Sequence, residues 1–173
     1  AILGATIDSA NVEYDNAASG LAATDVQAAI DELQTVGTWP PVLTFATPGD
    51  LVVDYSLRDA KWTRIRNFVS ISFVMVTSTF THTTASGQLL ITGLPAALTP
   101  VPSNANFRSY APVLFSGITK AGYGSVSSAL IGNSSTIQVL ASGSGVAVDF
   151  VTAANMPTGG SVALGGACNY VIA

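Results

Sequence analysis

The chain has 173 residues, a net charge of −4 and only 9% charged residues, against roughly 25% in an average soluble domain. Its mean hydropathy is +0.49, yet no apolar run approaches the ~18 residues needed for a membrane-spanning helix, so membrane insertion is not expected. The acidic balance excludes the basic footprint of a nucleic-acid binder. With so few charges, the surface must be covered by Ser, Thr, Asn and Gly, buried in an oligomer, or both, because large exposed apolar patches drive association; both are expected. The length fits one domain with a short N-terminal extension. There is neither an initiator Met nor a signal peptide, and the chain reads as a fragment of something longer at its N-terminus.

Residues 1–23 lack helical periodicity. The one helix signal follows, over about 24–36. Thr24 is a suitable N-cap with Gln27 three residues later, the spacing of a capping box, and Asp25 suits the positive end of the helix dipole. Val26, Ile30 and Leu33 form an apolar seam about one heptad long, and Gly37, Pro40 and Pro41 close the segment. A helix of this length is marginal alone in water. Its stripe needs a cover, either the domain that follows or further copies of itself.

From Trp39 the period changes to two. Leu51 to Leu57 reads as a strand, Arg58-Asp59-Ala60 as a turn, and Trp62 to Phe80 as a long strand pair with Ile65, Val69, Ile71, Phe73 and Met75 on one apolar face. Val74 and Val76 interrupt its polar face, so that end is expected to be covered on both sides. Gln88–Thr92 is a strand closed by Gly93-Leu94-Pro95, and 96–108 reads as a loop. Tyr110–Ile118 is a strand with Pro112 at an edge or bulge. Short strands follow at Ser125–Ile131, Thr136–Leu140 and Val146–Val151. The last, Ser161–Ile172, has apolar even positions and small odd ones, which lets another surface come close. Eight to ten short strands argue a mainly β chain, an antiparallel β-sandwich or jelly roll.

Catalytic sets are sparse. His82, the only histidine, stands in a Thr-rich stretch and reads as a loop residue; an ion held by three copies would require it on a symmetry axis. No nucleophile elbow is present, and Asp50, Asp54, Asp59 and Asp149 read as solvated carboxylates although paired carboxylates could in principle cleave glycosides. Gly143-Ser144-Gly145 lacks the lysine and helix of a phosphate loop. Asn133-Ser134-Ser135 matches a glycosylation sequon, a pattern common by chance. Cys168, alone, reads as a small buried hydrophobe. Four of the six cations, Arg58, Lys61, Arg64 and Arg66, fall within nine residues; they read as a solvated hairpin or as a patch for acidic polysaccharide.

Two stretches carry a family resemblance. Tyr14-Asp15-Asn16, Ser19-Gly20-Leu21 and the run Thr24-Asp25-Val26-Gln27-Ala28-Ala29-Ile30-Asp31-Glu32-Leu33 resemble a segment that stands ahead of the C-terminal tip in bacteriophage tail fibres. Gly37-Thr38-Trp39-Pro40-Pro41, then Tyr55, Arg58, Trp62, Ile65, Asn67, Val69 and Ile71, then Thr92-Gly93-Leu94-Pro95 are similar to phage fibre tip domains. Trp62 replaces a usual Tyr and Arg66 a usual Gly. The resemblance covers residues 14 to about 95.

It implies an intertwined homotrimer within a virion tail fibre. Residues 1–38 would be the shaft end with a short coiled-coil helix, trimerised through Val26, Ile30 and Leu33. Residues 39–173 would be a β-sandwich tip of tumour-necrosis-factor-like or C1q-like jelly-roll type. The implied function is attachment to a bacterial surface receptor, a polysaccharide, lipopolysaccharide or outer-membrane receptor, by adhesion rather than catalysis and with no cofactor or metal. The alternatives are a capsule-degrading or esterase enzyme, or a structural virion or fibre-folding module. Loop tips supply the receptor candidates: Thr83, Thr84, Asn104, Asn106, Arg108, Tyr123 and Asn133. Aromatic and amide side chains among them suit sugars, by stacking and by pairing with vicinal hydroxyls.

Overall fold

A computed structural model describes residues 15, 17, 22–99, 108–131 and 134–172, without the side chains of Arg108 and Ile131. Within them one helix, α1 (Val26–Leu33), precedes ten strands: β1 (Gln34–Thr38), β2 (Val42–Thr47), β3 (Val52–Ile65), β4 (Phe68–Thr81), β5 (Ser86–Thr92), β6 (Arg108–Ser116), β7 (Ser125–Ile131), β8 (Ile137–Gly143), β9 (Val146–Phe150) and β10 (Ala163–Val171).

The helix starts and ends differently from its sequence signals. Asp25, not Thr24, is the N-cap, and its carboxylate accepts from the Ala28 N–H at 2.8 Å. The side chain of Gln27 donates to Asp31 at 3.1 Å instead of closing a capping box. Glu32 accepts from the N–H groups of Ala22 and Ala23 at 3.0 and 2.9 Å, folding the incoming chain against the helix. The helix stops at Leu33, short of the expected end near 36, because residues 34–38 pair antiparallel with 61–65 of β3. Tertiary pairing overrides local preference here. Gly37 therefore does not terminate the helix. It lies under Trp62, where an added Cβ would come within 2.6 Å of the indole.

The strands form a curled antiparallel sheet in the order β1-β3-β4-β10-β6-β7-β8-β5-β2, with β9 on β8. β6 pairs with β7 over 108–112 and with β10 over 113–116. Pro112, which has no N–H to give, stands at that changeover rather than on an outer edge. The curl brings β2 back over β3, where the Leu43 N–H donates to the Tyr55 hydroxyl at 2.8 Å; ahead of β2, the Trp39 N–H prolongs the β1–β3 ladder to the Ala60 carbonyl at 3.2 Å. One core fills the space between the two halves, with Phe45, Ile71, Met75, Phe80, Leu89, Ile91, Leu130 and Leu164 fully buried. The even side chains of the last strand and its flanks, from Val162 to Ile172, face this core as their alternation requires.

Arg58-Asp59-Ala60 is not a turn, because β3 runs straight through it. Ala60 faces the core, the Arg58 guanidinium lies 4.9 Å from the centre of the Tyr55 ring, and Lys61 reaches Asp59 at 3.9 Å. The turn sits at Arg66-Asn67, where Arg66 has a φ of 55° and donates its N–H to the Leu33 carbonyl at 3.1 Å. The four clustered cations are thus strung along β3 and its turn and do not share one face. Two bulged residues, Ser56 in β3 and Ser78 in β4, break the register between these strands. Each flips the alternation beyond it, which turns Phe80 inward although the inward residues of β4 before it are odd-numbered.

Candidate functional site

Two turns meet at the end of the β3/β4 hairpin away from α1. Asp50, after β2, accepts from the Thr83 N–H at 2.9 Å, from the Thr84 N–H at 2.8 Å and from the Thr83 hydroxyl, and its own N–H donates to Thr84 Oγ1 at 3.1 Å. These bonds, that from the Thr83 hydroxyl first, hold the Asp50 carboxyl well below the usual carboxylate range. Thr83 and Thr84 are exposed as the sequence suggested, but their polar groups are already engaged in joining the two turns.

His82, beside them, is not a loop residue open to water. It is 6% exposed and packs edge-on to Phe45 and Phe80, with ring centroids 5.1 and 5.8 Å away. Its Nε2 is buried and has no hydrogen-bond partner. The Thr-rich context hides this role. The signal that could have shown it is the shift in alternation at Ser78, which places Phe80 and His82 on the inner side.

His82 also forms part of the wall of an open hollow of about 400 Å³. One wall is the turn after β4, through Thr83, Ala85, Ser86 and Gly87; the other is the segment after β9, through Thr152, Ala153, Ala154, Met156 and Thr158. Both walls are tied down. The Leu89 N–H donates to the Val151 carbonyl at 2.7 Å and joins the walls at their base. Thr152 and Asn155 cap a short 3₁₀ turn reciprocally. Lys120 braces that turn from behind: its ammonium donates to the Phe150 carbonyl at 3.0 Å and to Asn155 Oδ1 at 3.4 Å, and pairs with Asp149 at 2.8 Å. The Lys120 hydrogen bond, followed by one from the Phe150 N–H, pulls the Asp149 carboxyl below its ordinary range.

Tyr123 belongs to this brace. Lys120 Nζ lies 5.0 Å from its ring centre, and its hydroxyl donates to the Ala147 carbonyl at 3.2 Å. Its ring is half-buried and its hydroxyl is used. Of the other receptor candidates, Asn104, Asn106 and Asn133 lie outside the described residues, as does the Arg108 side chain, whose backbone opens β6. Asp54 and Asp59 are exposed, and the described residues hold no cluster of three or more His, Cys, Asp or Glu side chains. Cys168 is buried, with burial pushing its thiol up to about 11.

A second feature lies on the outer face of the sheet. Register aligns Ile65, Phe68 and Val171 in one row, and Val74, Gly165 and Leu114 in another. Leu114 is 83% exposed and Val36, on β1, 67%. Val74 is also exposed, so one chain alone does not supply the second cover expected there. Between the rows Ser72 stands beside Ala167 and Lys61, and Asp59 lies in register with Val74, so the face is apolar in two rows and polar between them. The Val26/Ile30/Leu33 seam is open at its centre: Ile30 is 55% exposed, while Val26 and Leu33 are half-buried.

No protein-family model and no curated protein matches the chain. Among solved structures it is similar to the Dettilon tailspike protein (gp208), with a TM-score of 0.56 and 19% identity over 78% of this chain. The chain spans 23% of the length of that one. At this identity the likeness concerns the fold: a mainly β, antiparallel arrangement with a counterpart inside a phage tailspike. Among the described residues no helix is long and apolar enough to cross a membrane.

Proposed function

We propose that this chain is a distal part of a bacteriophage tail fibre or spike, that it assembles as a homotrimer, and that it attaches the virion to a glycan or other receptor on the bacterial surface. The observation that carries this reading is the fold likeness to a tailspike, which agrees with the tail-fibre wording around α1 and in the strands that follow. Two physical features support assembly. An eight-residue helix is too short to persist in water without a partner, and Ile30 at the centre of its seam lies open. The apolar rows on the outer face of the sheet, with Phe68, Val74 and Leu114 exposed, likewise suit a companion surface, and copies of this chain packed as a jelly-roll trimer would supply it. Asp50 and Asp149 do not suit the acid of a glycosidase: hydrogen bonds hold both carboxyls below their ordinary range, whereas that acid keeps its proton at neutral pH.

Fluorescently labelled protein incubated with an array of purified bacterial capsules and lipopolysaccharides tests the reading. Retention on a small subset, with no release of reducing ends, is expected. Retention on none would overturn receptor binding, and release of reducing ends would replace adhesion with depolymerase activity.

A further inference from the structure

We infer that the hollow beside His82 is a preformed subsite for one neutral sugar residue that carries a methyl group, as a 6-deoxyhexose or an N-acetylhexosamine does. The inference rests on the receptor-binding reading and deepens it. The volume, about 400 Å³, falls in the range of small-ligand sites and accommodates a single pyranose with its substituents. The lining divides by chemistry. Ala85, Ala153, Ala154 and Met156 offer methyl groups, while Ser86 and Thr158 offer hydroxyls. No carboxylate, ammonium or guanidinium lines it. A charged sugar would therefore find no permanent counter-ion there, and desolvating an unpaired charge is costly. A neutral sugar lays its methyl group and C–H face on the alanines and Met156, and turns its hydroxyls to Ser86 and Thr158.

His82 lines the hollow although it is 94% buried. Its Nε2 has no partner and is closed to solvent, so a sugar in the hollow meets the remaining exposed edge of the ring and not that nitrogen. The walls are fixed beforehand by Asp50 on one side and by the Lys120–Asn155 brace on the other, so little ordering is left for the ligand to impose. The hollow also lies at the end of the long hairpin remote from α1, about 40 Å along β4 from the Arg66 turn at ~3.3 Å per residue.

Because His82 is the only histidine, protein labelled with ¹⁵N-histidine reports on the hollow through a single imidazole. Titration with L-rhamnose and with N-acetylglucosamine should move its resonances saturably. Glucuronic acid should leave them in place. Ala154→Trp, at an exposed position on the wall, should abolish the response while leaving the melting temperature near that of the native chain. An imidazole that ignores every neutral sugar, while the protein still binds arrayed glycans, would overturn the subsite and leave the receptor reading standing. An imidazole that responds, in a protein that binds no arrayed glycan, would support the sugar pocket and sink the attachment role. A response to glucuronic acid as strong as that to the neutral sugars would refute the specificity argued here.

Discussion

The helix and the β body of this chain solve the burial problem in opposite ways. In the body, Ile71 of β4 and Leu89 and Ile91 of β5 are at most 1% exposed, and the chain supplies its own cover. In the helix, Ile30 at the centre of the seam is 55% exposed, and support among the described residues comes from β1 and the Arg66 turn at its end and from the segment folded back onto Glu32. Burial of apolar surface is the main stabilising term in folding. The core of the body is complete within one chain, whereas the proposed trimer would cover Ile30. The same sequence rule, apolar residues at a regular period, yields a closed core in one place and an open stripe in the other.

The sharpest contrast comes from removing matched side chains. Ile91→Ala should lower the unfolding free energy by about 2–5 kcal/mol at every protein concentration, as read by chemical denaturation. Ile30→Ala should act through association instead. Its effect should be visible where the assembly is populated and should vanish on dilution, as mass action requires. An Ile30→Ala loss independent of concentration would show that the body covers the helix after all.

Gly37→Ala probes the junction between the two regions. The new Cβ would meet the Trp62 indole at 2.6 Å. Trp62 is half-buried and can shift, so a loss of about 1–3 kcal/mol is expected, with reduced tryptophan burial in fluorescence. Trp62→Ala in the same background should remove most of that penalty.

Much of the body was legible because alternation is a strong signal wherever one face is buried. β7 and β10 fall where the period of two places them, and the inward set from Val69 to Met75 was readable directly. Three features were not. β1 pairs with residues almost thirty positions further on, and nothing in Gln34–Thr38 announces that partner. The Arg58-Asp59-Ala60 run has turn-like composition, but the charged side chains flank a β3 segment whose outer face is open, so the strand tolerates them. The true turn is at Arg66, a residue with no turn signature in a backbone conformation that favours glycine. The usual Gly of the resembling tip domains fits this position. Thr83 and Thr84 were legible as an exposed turn, but the hollow beside them was not, because its second wall is a run of small residues between β9 and β10 that carries no chemical motif.

Acid should weaken the tie between the two turns. The Asp50 carboxyl is depressed by its bonds to Thr83 and Thr84, so its stabilisation is complete above the ordinary carboxylate pKa of about 4 and fades as pH falls below that value. Between pH 6 and pH 3 the native chain should lose more thermal stability than Asp50→Asn, in which the link no longer depends on a charge. Equal losses would mean that the tie between the two turns is not ionised.

The smallest effect is expected at the turn beneath the helix. Arg66→Gly relieves a left-handed backbone but gives the unfolded chain more freedom, so a gain of under about 1 kcal/mol should appear in denaturation. A clear loss would mean that the Arg66 side chain has a structural part beyond its backbone bond to Leu33.

The contrast between a finished body and an unfinished helix is tested most directly by sedimentation equilibrium of the intact chain at micromolar concentration. A mass of three times 17.6 kDa is expected, falling towards one chain when Ile30→Asp sets unpaired carboxylates on the seam. A native chain that stays at 17.6 kDa across the whole concentration range would contradict the account.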